Sequence, residues 1–233
     1  KKEVLSLSQI QTNKNDVLEI TDNSGKIVGY MDADFSYDPV IVGKALSYAN
    51  EAIEKFPDRL DMRFGKCYVL KEIGDYKNFS KELVNTIEYS RTNKNMWLWS
   101  ENEKTTDGES RLINTTYDYL AEIYNTENDN LLPYLKTIGD SMLKYYPDVI
   151  EILSITAVAH LLTDSMDKAL AYLLHAEQLN PKDVIVLNNI AEVYKRKADK
   201  VSTRKYYEKV LQYGDEDAKA DIKEKIKQLD KNQ

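Results

Sequence analysis

The chain has 233 residues, 42% of them hydrophobic and 30% charged, with only 8 Gly and 5 Pro. So few turn formers exclude a turn-rich β-sandwich and a low-complexity chain, and no apolar run approaches the length of a membrane span. A net charge of −7 argues against a nucleic-acid binder.

In chain order, residues 1–15 are polar and read as a frayed tail. Residues 17–31 place two β-prone runs, Val-Leu-Glu-Ile and Lys-Ile-Val-Gly-Tyr-Met, around Thr-Asp-Asn-Ser-Gly, which predicts a β-hairpin. Asp32, Asp34, Ser36 and Asp38 alternate as calcium-loop ligands do. Tyr37 stands where such a loop needs Gly, and Gly43 where it needs a bidentate Glu, so a solvated acidic connection is expected. Asp38 is placed to cap a helix whose first position is Pro39. That helix carries small residues at Ala45, Ala49 and Ala52 and stops at Pro57.

Arg59 to Ser90 reads as a helix pair broken at Gly74-Asp75-Tyr76. Arg91 to Ser110 then interrupts the helices with a long polar insertion holding Trp97 and Trp99, both tryptophans of the chain. Long connections are often functional and Trp is enriched at hot spots, which makes the two rings candidate contacts. Folding back to bury them is the commoner fate. A first helix follows around Tyr117, Leu120, Ala121 and Tyr124, and a second from Leu131 to Tyr145 with Pro133 in its first turn.

The strongest pattern lies beyond Pro147. Leu153, Ala157, His160, Ala169, Leu173, Ala176 and Pro181 align with Leu187, Ala191, Tyr194, Thr203, Tyr207, Val210 and Asp215, each 34 residues later. Large positions meet large ones, and small positions meet small ones. Asp215 to Leu229 follows as a Lys/Glu-rich helix with Ala218, Ile222, Ile226 and Leu229 on one face, suited to capping the end of an array.

The 34-residue period and this size pattern resemble the tetratricopeptide repeat, a helix-turn-helix unit. The resemblance implies an all-α superhelical solenoid of about four helix pairs, one of them incomplete, to which the residues themselves add the C-terminal capping helix and the N-terminal β-hairpin. Residues 1–37 form the tail and hairpin cap, 38–229 the repeat domain with its insertion at 91–110, and 230–233 a tail. In this family the first helices line a concave groove where peptides bind. Carried over by repeat position, the groove receives Glu151, Ser154, Val158 and Leu161, then Ile185, Asn188, Glu192 and Lys195. The weaker upstream frame adds Asp118, Glu122 and Asn125.

Nothing assembles an enzyme. His160 and His175 are the only histidines, Cys67 sits in an apolar run, and no nucleotide, hydrolase or zinc motif occurs. No metal or cofactor is expected. Residues 101–130 carry eight acidic and two basic side chains, and 195–209 carry seven basic and two acidic. Ion-paired helical faces are the favoured explanation. The expected function is a non-enzymatic protein-interaction module for a protein or peptide partner, without nucleic acid or a membrane span. The alternative is a scaffold or homo-oligomerisation domain whose groove is self-filled. The first residue is Lys1 rather than Met, and an excised export signal would place the protein outside the cytoplasm.

Overall fold

The computed structural model describes residues 2–8 and 18–231, with side chains from 18–31 and 36–231. The chain divides into two compact units, Lys1–Lys55 and Phe56–Gln233.

In the first unit, β2 (Leu18–Thr21) and β3 (Ile27–Ser36) form the antiparallel hairpin that the Thr-Asp-Asn-Ser-Gly turn predicts. Asp22 closes the turn: its Oδ1 accepts from the backbone N–H groups of Ser24 and Lys26 at 2.8 and 3.1 Å. Two expectations are overturned. Lys2–Ser8 is not frayed but a strand, β1, paired antiparallel with β3 from Lys2↔Ser36 to Ser8↔Tyr30. Residues 9–15 of the expected tail lie outside the described residues. The acidic stretch from Asp32 to Ser36 is not a solvated connection either, because β3 runs through it. Pairing with β1 gives that backbone its hydrogen bonds. Asp38 then caps α1 (Pro39–Lys55), accepting from the N–H of Val40 at 2.8 Å.

The second unit is a run of helices: α2 (Leu60–Glu72), α3 (Tyr76–Asn93), α4 (Gly108–Asn125), α5 (Leu132–Tyr145), α6 (Ile150–Leu162), α7 (Met166–Leu179), α8 (Val184–Arg196), α9 (Lys200–Tyr213) and α10 (Glu216–Lys231). The bounds of α6 and α7 recur 34 residues later in α8 and α9. The turns within pairs repeat too. The N–H of Asp75, Ser165 and Asp199 each reaches back to the carbonyl of Leu70, His160 and Tyr194 at 2.9, 2.8 and 3.0 Å. One residue in each turn is left-handed: Gly74 (φ 74°), Asp164 (φ 58°) and Ala198 (φ 57°). This bond pattern satisfies carbonyls at the helix end and reverses the chain within a few residues.

Fully buried positions run along the whole unit: Leu60, Phe79 and Leu83, then Leu120, Leu135 and Ile138, then Ala157, Leu187 and Ala191. Between α5 and α6 the approach is close. A Cβ added to Gly139 would lie 2.1 Å from Thr156 Oγ1 and 2.9 Å from Thr156 Cβ. Only hydrogen fits there.

Two stability changes of opposite sign follow. Gly139→Ala gains helix propensity but forces α5 and α6 apart, and should lower unfolding free energy by about 1–2 kcal/mol in urea titration. Ala198→Gly relieves a left-handed alanine and should raise it by about 0.5–1 kcal/mol, with an unchanged denaturant slope.

Candidate functional site

An open groove of about 500 Å³ runs between the first helices α4, α6 and α8. From α4 come Tyr117, Ala121, Tyr124 and Asn125. Ile150, Glu151, Ser154, Ile155 and Val158 come from α6, while Asp183, Ile185 and Asn189 come from the start of α8 and the turn before it. Ile185 is 70% exposed and Tyr124 42%, so apolar surface faces outward here. The polar groups beside it are uncommitted: the side chains of Asn125, Glu151, Ser154 and Asn189 have no hydrogen-bond or ion-pair partner among the described residues.

The expected groove residues divide. Ser154, Val158 and Ile185 line the groove, with Glu151 and Asn125 beside them. Leu161 does not: it is 6% exposed and belongs to the core. Asn188 and Glu192 lie under the capping helix. Lys225 of α10 donates to Asn188 Oδ1 at 3.2 Å and stands 3.7 Å from Glu192 Oε1, which also accepts from the Tyr207 hydroxyl at 2.9 Å. Lys195 pairs with Glu192 at 3.5 Å and lines a smaller cavity of about 230 Å³ with Lys200, Thr203, Tyr207 and Lys225.

In α4 the upstream frame is displaced by one residue. The buried positions are Leu112, Thr116, Tyr119, Leu120 and Ile123, not a series through Tyr117, Ala121 and Tyr124. Asp118 and Glu122 therefore sit beside the groove rather than in it, and Glu122 is ion-paired with Lys71 of α2. Their places are taken by Tyr117, Ala121 and Tyr124, which the sequence assigns to the scaffold. The signal that could have exposed the slip is in the second helix. Leu135, Gly139 and Met142 keep the 34-residue spacing to Ala169, Leu173 and Ala176, all six being buried, so the extra residues fall in the α4–α5 connection. Anchoring on Gly139 rather than on Ala121 would have found it.

The insertion is a folded loop between α3 and α4, running from Lys94 to Asp107. Trp97 is fully buried and cannot be a surface contact. Its ring packs 5.9 Å from Tyr89, its Nε1 donates to Asn95 Oδ1 at 3.2 Å, and the Arg63 guanidinium lies beside both rings, 4.5 Å from Tyr89 and 6.0 Å from Trp97. Arg63 is itself buried, donates to the Pro57 carbonyl at 2.9 Å, and faces Glu82 at 3.7 Å. Trp99 is half-buried, with Arg111 stacked 4.7 Å over its ring. The loop does not line the groove.

The reactive residue types are engaged elsewhere. Burial pushes the Cys67 thiol far up, which disfavours the thiolate a nucleophile needs. His160 is buried, with Nε2 3.0 Å from Asp140 Oδ1. Asp140 also accepts from Lys168 Nζ at 2.6 Å and from the Tyr172 hydroxyl at 2.9 Å. These contacts tie α5, α6 and α7 together. Burial opposes the charge on Asp140, but hydrogen bonds from Lys168, His160 and Tyr172 outweigh it and hold the carboxyl below its ordinary value. Among the described residues no group of His, Cys, Asp or Glu could hold a metal, and no helix is long and apolar enough to cross a membrane. Much of the basic stretch in α8 and α9 is ion-paired: Lys197 with Asp167, Lys209 with Glu177, and Arg204 with Asp230.

Framework positions decide the fold type. Ala157 and Ala191 are fully buried 34 residues apart, His160 and Tyr194 keep the same spacing, and the groove is lined by first helices and the turn before α8. The array is tetratricopeptide-like. No family model matches the sequence, and no curated protein matches it. Solved structures with a similar fold include YrrB, described as a TPR protein with an unusual peptide-binding site, at 14% identity over 79% of this chain and 84% of that one, TM-score 0.47. MamA from Desulfovibrio magneticus RS-1 shares 14% identity over 74% of this chain and 85% of its own, TM-score 0.45. PilF of Pseudomonas aeruginosa shares 15% over 76% and 71%, TM-score 0.43. The tetratricopeptide-like assignment rests on this chain's own repetition of helices and turns.

Because the folded-state value of Asp140 is depressed, its contribution to stability is present above the unfolded carboxylate value and is lost as pH falls through the folded one. Asp140→Asn should therefore cost about 1 kcal/mol at neutral pH, and its melting difference from the parent should shrink steadily below about pH 4.

Proposed function

We propose that this protein is a non-enzymatic interaction module that receives an extended segment of a protein partner in the groove between α4, α6 and α8. The observation that carries this reading is the pairing of exposed Ile185 and Tyr124 with polar side chains that have no partner of their own. Exposed side chains of this kind are ordinarily hydrated and scattered singly over a surface. Here they gather around an apolar floor. Asn125 and Asn189 can each donate to and accept from a peptide backbone, which an extended chain presents at regular intervals. Burying an aliphatic side chain against Val158 and Ile185 supplies the apolar share of the affinity.

A self-filled groove finds less support, since the Lys94–Asp107 loop spends its buried tryptophan on α2 and α3 instead. Trp97 and Trp99 act in this reading as anchors of that loop. Asn188, Glu192 and Lys195 act as the seat of the capping helix.

Affinity capture from the native source, run in parallel with parent and variant proteins, tests the groove. Ser154→Trp should abolish capture of the partner without lowering the melting temperature. Ile185→Ala, at a mostly exposed position, should weaken it about fivefold to tenfold. Equal capture by all three proteins would place the interaction on another face.

A further inference from the structure

We infer that the groove selects a segment bearing a lysine or arginine next to an aliphatic residue; this rests on the groove reading above and adds the chemistry of the ligand. The groove is lined by two carboxylates, Glu151 and Asp183, and by no cation. Glu151 is exposed in the first turn of α6 and has no ion-pair partner among the described residues. Asp183 is held in place at the start of α8, its Oδ1 accepting from the N–H groups of Ile185 and Val186 at 3.0 and 3.1 Å. That leaves its second oxygen available to a ligand donor. The neighbouring Lys182 ammonium lies 5.8 Å over the Tyr213 ring and is not part of the lining.

A competing effect must be weighed. The N-termini of α6 and α8 point partial positive charge into the same region, which by itself favours an anion. Each terminus is equivalent to about half a charge, whereas each carboxylate carries a full one. The carboxylates win, and the local field favours a cation. Asp118 and Glu122 on the adjoining face of α4 have the same sign, although Glu122 is largely answered by Lys71.

The rest of the lining suits a long basic side chain. Its methylene stem can lie along Ile150 and Val158 while the charged head reaches the carboxylates. Tyr117 and Tyr124 line the same groove, and aromatic rings attract a cationic head group. An aliphatic neighbour in the ligand then covers Ile185. An acidic segment is repelled by both carboxylates and gains only the weaker pull of the helix N-termini.

The test uses the full chain and short acetylated, amidated peptide pools, with flanking positions randomised over Gly, Ala and Ser. One pool fixes Arg-Leu at its centre, one Ser-Leu and one Glu-Leu, and binding is read by fluorescence anisotropy. The Arg-Leu pool should bind about tenfold more tightly than the Glu-Leu pool. Glu151→Gln should cut that ratio to about threefold, and added salt should narrow it further. Equal or reversed affinity for the two pools overturns the inference. If binding is nevertheless lost in Ser154→Trp, the groove reading survives without it. Absence of binding by every pool, or binding that Ser154→Trp leaves unchanged, overturns the groove reading and this inference together.

Discussion

The helical unit depends on how closely successive helices can approach. Where Gly139 meets Thr156 there is room for a hydrogen and nothing more, and at Ala157 and Ala191 a methyl is completely enclosed. Close approach lets aromatic and branched neighbours fill the remaining gaps at crystal-like density. It also turns each first helix so that one strip stays uncovered. The groove is a product of that packing: the strip that cannot be buried becomes the surface where Tyr124 and Ile185 stand exposed.

The turns transmit this arrangement along the chain. Three of them share one left-handed residue and one long backward hydrogen bond, although the residues concerned are Gly74, Asp164 and Ala198. Backbone geometry is conserved within the molecule while side-chain chemistry varies. Asp140, gathering Lys168, Tyr172 and His160, works across pairs and joins α5 to the two helices after it. A histidine that could suggest catalysis is thereby a cross-brace.

Much of this was legible in the sequence. The 34-residue spacing of small and large residues located α6 to α9, and the apolar face of Ala218, Ile222, Ile226 and Leu229 located the capping helix. Failures arose where tertiary context decides. Val4-Leu5-Ser6-Leu7 carries a strand signal, but a strand needs a partner, and β3 offers one only once its own run through Asp32 and Asp34 is known. In α4 the presence of Ala121 drew the frame one position along, although that residue lines the groove and is not one of the buried positions. A slip of one residue turns a helix by about 100°, enough to exchange Asp118 and Glu122 for Tyr117 and Tyr124. Depth along the groove was hidden for another reason: repeat position says which face a residue occupies, not whether a later helix covers it.

That covering helix has a consequence for growth. A stack of repeats presents at each end the same kind of surface it buries inside, so an unprotected end invites another copy and then a fibre. Here α10 buries Ile222, engages Asn188 and Glu192 through Lys225, and turns outward a side rich in Lys, Glu and Asp. The same lysine that engages Asn188 and Glu192 thus holds a charged helix over the last pair, a surface on which another repeat stacks poorly. A further repeat would meet the surface of α8 and α9 only if it stood before α10.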